Sequence, residues 1–529
     1  MKRRQFIGRS AAAAVAGAMS CPSIVQAASA RTLKFVPYAD LALLDPLGSA
    51  LVTRNHLLMV FETLWALDGN ATAQYQMLAG HTVDADQKIW TLTLRDGLLF
   101  HDGTPVLGRD VVASLRRWGV KDAFGQALFA ATDDLSAPTD KQIVFRLNRP
   151  FPLLPQALAK PTNLIAAIMP ERLATRPTGT LLTEMVGSGP FRFLPDERVS
   201  GARNAYAKFE KYLPRDGVAS FCAGPRIANF DRVEWVTMPD PSTQVAALRT
   251  GEVDWIEQPV MDLVPSLKAD RNLVVEVLET RGLIATLRPN HLYPPFDNPA
   301  IRRAALRAVS QREFMTAVAG EADASVINDH VGFFAPGSVY ASDAGMENFT
   351  RETDFAALRK EIMAAGYGGE KVVFLGAADV PRITAIAQVG ADMLSKIGLN
   401  VDYVSLDWGT IVQRDQRQQP IAEGGWSMYG SMTGGLDWDN PACNPSLRGN
   451  GRAASAGWPT APKLEAIREQ WLRAPDLPTQ KALAADMQRQ AFIDVPTLPV
   501  GLYYQPVAYR NDLAGMMKGL VLFTGVKRT

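Results

Sequence analysis

The stretch GGWSMYGSMTGGLDWDNP at positions 424–441 holds the residues of this chain best suited to bind a ligand. Trp426, Tyr429 and Trp438 stand among glycines without helical or strand periodicity. Because loops are usually polar, we predict that these aromatic side chains line a cleft. Asp437 beside an indole face suits a cationic or amino-bearing ligand through ion pairing and cation–π contact. The competing interpretation is an irregular core loop whose aromatic residues only pack together.

Two further candidates are Trp408, before this stretch, and Asn440, within it. Trp408, upstream, is expected to add stacking surface, and Asn440 follows the carboxylates of Asp437 and Asp439. An Asp-x-Asp pattern can also begin a calcium loop, but the remaining oxygen ligands are missing at the required spacing. We therefore expect a binding site without a metal.

Catalytic motifs are missing from the sequence. None of the five histidines stands in H-E-x-x-H or another metal-ligand spacing. There is no G-x-S-x-G elbow and no phosphate-binding loop. The run Gly449-Asn450-Gly451 has no strand before it, as a dinucleotide fingerprint needs. The sequence therefore predicts neither an enzyme nor a bound cofactor.

The first thirty residues have the features of an export signal. Arg3 and Arg4 precede an apolar, alanine-rich run that ends at Met19, and small residues follow. A twin arginine, a short apolar segment and an A-x-A-like end are typical of a cleaved Tat-type signal. We expect residues 1–30 to be removed and the mature protein to be periplasmic. A membrane anchor is disfavoured because the apolar run is too short to span a bilayer; lipidation at Cys21 is the other alternative.

The mature chain is nearly neutral. The full sequence has 55 Lys and Arg against 54 Asp and Glu, and loss of residues 1–30 leaves 51 against 54, a net charge of −3. Binding to nucleic acid or anionic membranes needs clustered basic residues, so neither partner is expected. About 500 residues exceed one hydrophobic core and predict two or three domains. Cys222 and Cys443 remain, either paired or as separate thiols.

Helix and strand patterns alternate along the body of the chain. The region 89–147 indicates an α+β unit, and 231–256 and 371–404 each predict a strand, a helix and a strand. Two strands joined by one helix within about 35 residues imply a right-handed parallel crossover. Helices are also predicted at 462–474 and 478–493. The fold class is therefore α/β.

Five blocks of the sequence occur in the order found in one known family. They are KIWTLTLRDGLLFHDGTPVLGRDVVASLRRW (88–118), VGSGPF (186–191), ALRTGEVDW (247–255), YPPFDNPAIRRAALRAV (293–309) and QAFIDVPTLPVGLYYQPVAYR (490–510). On these blocks the chain resembles the extracytoplasmic solute-binding proteins of ABC importers, family 5. That group contains dipeptide-, oligopeptide- and nickel-binding members. The resemblance covers essentially the whole mature chain.

The resemblance implies a bilobal periplasmic-binding-protein-like fold of type II, cluster C, with an extra α+β subdomain in lobe I. Carried onto this sequence, the parts are a signal peptide at 1–30, lobe I at 31–70, 183–283 and 497–529, the extra subdomain at 71–182, and lobe II at 284–496. A ligand is expected between the lobes. The two strand–helix–strand patterns independently support an α/β core in each lobe.

The resemblance also implies a role for Asp437. In peptide-binding relatives, a Gly-Asp-Pro-Asp-Asn-like motif carries an aspartate that holds the α-ammonium group of the ligand, and Asp437 takes that position in LDWDN at 436–440. Two departures matter. Trp438 replaces the proline, and the segment from Trp426 to Asp437 is longer, which leaves peptide specificity open.

The expected function is capture of a short peptide or related amino compound and its delivery, chemically unaltered, to a membrane permease with its ATPase. The protein is expected to be a monomer, with Tyr503 or Tyr504 contributing near the return crossing into lobe I. A non-peptide solute such as a metal chelate, sugar, opine or glutathione is the alternative. A secreted hydrolase is a remote one.

Overall fold

The computed structural model describes residues 31–48, 50–320, 324–349 and 353–529. The export signal predicted at 1–30, with Cys21, lies outside these residues. Among the helices that are described, none has the length and apolar character needed to cross a membrane.

Lobe I is built on a seven-stranded sheet. Its strands, in order across the sheet, are Leu273–Val277, Pro506–Arg510, Trp255–Ile256, Thr32–Val36, Arg232–Val236, Arg203–Lys208 and Phe191–Phe193. The strand Thr32–Val36 runs parallel to both of its neighbours. Those neighbours are joined by the helix Pro241–Thr250, which Asp240 caps with its side chain and Gly251 ends in a left-handed conformation. The strand–helix–strand unit predicted for 231–256 is confirmed.

Lobe II is built on a six-stranded sheet. Its strands, in order, are Ile327–Asn328, Leu498–Tyr503, Leu283–Pro289, Met428–Gly434, Lys371–Ala377 and Asn400–Leu406. The helix Pro381–Lys396 packs on the sheet through Ile386, Met393 and Leu394 and connects two parallel strands. The crossover predicted for 371–404 is confirmed.

The extra subdomain is an antiparallel sheet covered by helices. The strands, in order, are Leu78–Val83, Ile89–Leu94, Gln142–Leu147 and Thr132–Ser136. The helices are Gly108–Gly119, Ala123–Ala130, Leu154–Ala159 and Glu171–Ala174. Trp90, Leu92 and Leu94 alternate along their strand and are buried together, which confirms the α+β unit predicted at 89–147.

The chain passes twice between the two large sheets. The first crossing, at 278–282, links Leu273–Val277 of lobe I to Leu283–Pro289 of lobe II, and the second is at 504–505. The expectation that all of 497–529 belongs to lobe I is therefore wrong for Leu498–Tyr503. Every residue of that strand is buried, because it lies inside the lobe II sheet between two neighbours.

The remaining elements complete the lobes. The helices are Leu51–Val60, Val264–Lys268, Pro299–Arg307, Gln311–Ala319, Phe355–Ala364, Trp408–Arg414, Pro462–Arg473 and Leu477–Asp494. The short strands are Trp65–Leu67, Ala73–Tyr75, Leu513–Ala514 and Lys527–Arg528. The helices predicted at 462–474 and 478–493 are thus present, with bounds that differ by one residue.

Candidate functional site

One edge of the lobe II sheet gathers several polar side chains. The strands Lys371–Ala377, Asn400–Leu406, Met428–Gly434 and Leu498–Tyr503 all point the same way, so their carboxyl ends meet at this edge. At the end of one strand lies Tyr503, and beyond the ends of the others lie Arg382, Trp408 and Asp437. In open α/β sheets, ligands bind outside the carboxyl ends of the strands.

The matching edge of lobe I faces this one. Tyr38, Glu257 and Glu279 follow the carboxyl ends of three lobe I strands of the same direction. Direct contact between the edges is made by Arg382 of lobe II, which donates a hydrogen bond of 2.8 Å to the side chain of Gln258 in lobe I. The two edges therefore enclose an interlobe cleft.

Asp437 is carried into the cleft by a tight turn against the first crossing. The turn Gly435–Trp438 begins where the backbone N–H of Gly435 donates to the carbonyl of Gly282 at 2.8 Å. A Cβ at Gly435 would overlap the carbonyl group of Arg281, so only glycine fits there. Arg281 also forms an ion pair of 2.8 Å with Asp439. These contacts with Arg281 and Gly282 of the first crossing therefore fix the position of the turn that carries Asp437.

The carboxylate of Asp437, in lobe II, lies near polar groups of the extra subdomain and of lobe I. Asn163 of the extra subdomain donates from Nδ2 to Oδ2 of Asp437 at 3.2 Å. Removal from bulk water raises the pKa of Asp437 to about 6, while the nearby charges of Lys160 and Arg54 act in the opposite direction. These cations are already paired, Lys160 with Asp122 at 2.6 Å and Arg54 with Glu279 at 3.0 Å.

Lobe I adds a buried carboxyl group that shapes the wall of the cleft. Glu257 is 4% exposed, and it accepts hydrogen bonds from the side chain of Asn55 at 2.7 Å and the backbone of Tyr38 at 2.8 Å. Burial raises the pKa of Glu257 to about 7. Both oxygens are used within lobe I, so Glu257 holds the helix Leu51–Val60 and the loop at Tyr38 in place.

Arg382 is a functional candidate that the sequence did not single out. Its side chain bonds the amides of Gln258 and Gln505 and lies 5.7 Å from the centre of the Tyr503 ring. Burial lowers the pKa of Arg382, and no described carboxylate lies within ion-pair distance of it. The arginine borders a cavity of about 430 Å³ between the lobes. One indication of this role was present in the sequence. Arg382 lies in the first turn of a crossover helix, and that turn lies at the sheet edge where ligands bind.

Trp426 and Tyr429 lie away from this cleft, which corrects the expectation that they form its walls. Trp426 is 1% exposed, packs on Tyr429 and Trp458, and donates from Nε1 to the backbone carbonyl of Asp415 at 3.1 Å. Tyr429 is also buried. Both residues precede or begin the strand Met428–Gly434, whereas Asp437 follows its far end. The packing interpretation therefore holds for this pair.

Trp438 is also a core residue rather than a stacking surface. Its indole is fully buried against Phe333, with ring centres 6.2 Å apart, and Nε1 donates to Thr433 at 2.8 Å. Asn440 uses its side-chain oxygen to accept the backbone N–H groups of Ala442 and Cys443. These two predicted ligand contacts therefore serve packing and a turn.

Trp408 and Tyr504, like Asp437 and Asn440, are only half-buried. Trp408 is half-buried at the lobe II edge, where its backbone N–H donates to Asp379 at 2.8 Å. Tyr504 is half-buried at the second crossing, where its backbone donates to the carbonyl of Val326. Their role in binding stays a prediction. Cys222 and Cys443 are both free thiols.

Two α/β sheets that present their carboxyl edges to each other across two crossings define a bilobal, periplasmic-binding-protein-like molecule. Solved structures have the same fold. AgaA from A. tumefaciens R10, in complex with agropinic acid, gives a TM-score of 0.77 at 19% identity over 94% of this chain and 99% of that one. A dipeptide-binding protein from Pseudoalteromonas sp. SM9913, in complex with Met-Leu, gives 0.76 at 19% identity over 94% and 100%. The predicted fold class is confirmed.

The chain belongs to family 5 of the bacterial extracellular solute-binding proteins. The sequence profile described as "Bacterial extracellular solute-binding proteins, family 5 Middle" matches residues 72–455. A relative from Sinorhizobium fredii, named "Probable peptide ABC transporter periplasmic-binding protein", is 34% identical over 524 residues, 95% of each chain. The family predicted from the five sequence blocks is therefore confirmed, and with it a solute-binding function outside the cytoplasm.

Proposed function

We propose that this protein is the periplasmic component of an ABC importer and captures a short peptide or related amino compound between its lobes. The observation that carries the proposal is Asp437. Its carboxylate lies in the interlobe cleft, while the cations closest to it, Lys160 and Arg54, are already paired with other carboxylates. An ammonium group of a ligand supplies the missing partner through a charge-assisted hydrogen bond.

Arg382 supports a ligand that also carries a carboxylate. Burying a charged group without an opposite charge is unfavourable, and Arg382 is held by two amide oxygens and by the ring and hydroxyl of Tyr503. A ligand carboxylate in the adjoining cavity provides bidentate hydrogen bonds to the guanidinium group. The cleft thus has an acidic and a basic end, as a zwitterionic ligand requires.

Transport needs no chemical change of the ligand. A ligand that contacts both edges binds the closed arrangement of the lobes more tightly than the open one, and so shifts the population towards closure. The permease and its ATPase then receive the ligand from the closed form. The basic twin-arginine start of the sequence supports export through the Tat route and removal of residues 1–30.

Two similar solved proteins hold ligands that carry a carboxylic acid group. AgaA holds agropinic acid, the Pseudoalteromonas protein holds Met-Leu, and the Sinorhizobium relative is named for peptides. An opine or glutathione is therefore the second candidate class, because the replacement of proline by Trp438 distinguishes the turn of this chain from the peptide-binding motif. The first candidate remains a short peptide.

Calorimetric titration of the mature protein with Met-Leu, glutathione and agropinic acid tests the proposal. We expect saturable binding of one ligand per chain, and chromatography should recover the ligand unchanged. Mass spectrometry of ligand released from freshly purified protein identifies the class directly. Appearance of cleaved products would instead favour a hydrolase, and a released sugar or metal chelate without an amino group would contradict the role given to Asp437.

A further inference from the structure

Asn163 of the extra subdomain has one half of its amide group hydrogen-bonded and the other half without a partner among the described residues. Nδ2 donates to Asp437 of lobe II at 3.2 Å. Oδ1 is buried and has no hydrogen-bond partner among the residues that the structure describes. Since buried polar atoms almost always have partners, this oxygen calls for a donor from outside the protein chain.

We propose that Asn163 is a ligand-binding residue whose Oδ1 accepts an N–H from the same primary ammonium group that Asp437 binds. The inference rests on the proposed function and names the chemical class that this end of the cleft selects. A primary ammonium has three N–H donors and a positive charge, so it can serve two acceptors at once. An acylated nitrogen has one donor at most and no charge.

The orientation of the amide follows from its neighbour. If the amide were turned around, Oδ1 of Asn163 would face the carboxylate of Asp437, and two acceptors would meet without a proton between them. Nδ2 must therefore point at Asp437. Oδ1 is then directed away from the carboxylate and remains an acceptor without a donor.

The loop that carries Asn163 is rigid without help from the Asn163 side chain. Lys160 donates from Nζ to Oγ1 of Thr162 at 2.6 Å and to the carbonyl of Leu164 at 2.8 Å, which are the residues on either side. The same ammonium group forms a buried ion pair of 2.6 Å with Asp122. Substitutions of the Asn163 side chain should therefore leave the loop and the fold in place, and the preset loop favours binding over simple packing.

The test compares Asn163→Leu and Asn163→Asp with the matched control Asn148→Leu. Asn148 lies in the same subdomain but is exposed and bonds only Asp133 and the carbonyl of Ala130. The probes are Met-Leu and glutathione, each in the free and the N-acetylated form, titrated by calorimetry at pH 7. Unfolding of each variant is followed in parallel to confirm that it is folded.

Asn163→Leu should weaken the free-amine probes about tenfold, as expected for loss of a hydrogen bond to a charged group, and should change the acetylated probes by less than about twofold. Asn163→Asp keeps an acceptor, and the repulsion between its carboxylate and Asp437 is relieved when a ligand ammonium group lies between them, so its affinity for the free amines should exceed that of Asn163→Leu. Asn148→Leu should match the wild type for every probe.

Two results separate the inference from the function on which it rests. If the wild-type protein binds Met-Leu or glutathione while Asn163→Leu binds them equally well, Asn163 does not contact the ligand and the inference is wrong. Equal losses in Asn163→Leu and Asn163→Asp also overturn it, because they assign Asn163 only to holding Asp437 through Nδ2. If the wild type binds neither amine, the proposed function itself fails.

Discussion

The two ends of the segment 424–441 share a composition but differ in their surroundings. At the first end, Trp426 and Tyr429 pack into a cluster with Trp458 in the interior of lobe II. At the other end, Asp437 stands in the interlobe cleft and meets Asn163 from another part of the chain. The strand Met428–Gly434 separates them, so one end lies at its amino terminus and the other at its carboxyl terminus.

The difference leads us to expect that strand direction decides which end of the segment meets a ligand. Aromatic residues among glycines suggested a cleft wall, but a large apolar ring is equally suited to fill a core. The carboxyl edge of the sheet faces lobe I, because both crossings at 278–282 and 504–505 leave from that edge. We therefore expect Asp437, after the strand, to bind the ligand, whereas Trp426, before it, packs in the core.

The largest expected effect separates packing from binding at the first end. Trp426→Ala should lower the free energy of unfolding by about 3–5 kcal/mol, since it removes a fully buried aromatic side chain and leaves a cavity. Its indole hydrogen bond to Asp415 is lost as well. Chemical denaturation measures the change, and the folded fraction should keep its affinity for the ligand.

Trp408→Ala provides the matched comparison for that variant. Trp408 is half-buried at the cleft edge, so its loss should cost less stability than the loss of Trp426. If only Trp408→Ala weakens ligand binding, Trp408 at the cleft edge contributes to binding and Trp426 in the core does not. Weaker binding with intact stability in Trp426→Ala would reverse it and return Trp426 to the binding site.

The second prediction concerns the opposite end of the segment. Asp437→Asn should weaken an amine-bearing ligand such as Met-Leu by about 1.5–3 kcal/mol, because a charge-assisted hydrogen bond becomes a neutral one. Stability should stay the same or rise, since the variant no longer has a carboxylate that is removed from water. Calorimetry and chemical denaturation measure the two quantities.

The control for this change is Asp86→Asn, which alters an exposed carboxylate in the extra subdomain. It should leave both affinity and stability unchanged. Unaltered affinity in Asp437→Asn would mean that the cleft binds its ligand without an ion pair at this position. The two ends of the segment would then differ in packing but not in ligand binding.

The sequence predicted the framework of this site better than its side chains. Apolar periodicity and capping residues such as Asp240 and Gly251 are local, and they located the units at 231–256 and 371–404. The position of Asp437 came from the family resemblance. Burial of Trp438 against Phe333 was not predictable from the sequence, because these residues are distant in the chain and meet only through folding.

Arg382 and Asn163 were missed for the same physical reason. Each acquires its role through partners in another part of the fold, Gln258 for the arginine and Asp437 for the asparagine. Neither lies in a motif with characteristic spacing. Strand Leu498–Tyr503 was misassigned because the order of the five blocks gives no information on which sheet a strand joins.

A third, smaller effect tests the basic end of the cleft. Arg382→Met keeps the length of the side chain but removes its charge, and should weaken Met-Leu by about 1.5 kcal/mol. Met-Leu amide, which lacks the carboxylate, should bind the variant and the wild type equally. The control Arg359→Met changes an exposed arginine that bonds the carbonyl of Lys396 and should affect neither probe.

The smallest effect expected is the pH dependence of binding. In the proposed site the ionised form of Asp437 binds the ligand, and its pKa is raised to about 6 in the free protein. The α-ammonium group of Met-Leu, with a pKa of about 7.7–8.0, is protonated at pH 7 and below. Affinity should therefore be nearly full at pH 7 and fall about tenfold by pH 5, as the carboxylate takes up a proton.

Glu257 also titrates between pH 5 and pH 7, and the variant Asp437→Asn distinguishes its effect from that of Asp437. Burial raises the pKa of Glu257 to about 7, and this group supports the loop at Tyr38 and the helix that carries Arg54. If Asp437 causes the loss of affinity, Asp437→Asn binds Met-Leu weakly but equally from pH 7 to pH 5. If the affinity of the variant still falls between pH 7 and pH 5, the group that titrates is Glu257 in the lobe I wall rather than Asp437 at the lobe II edge.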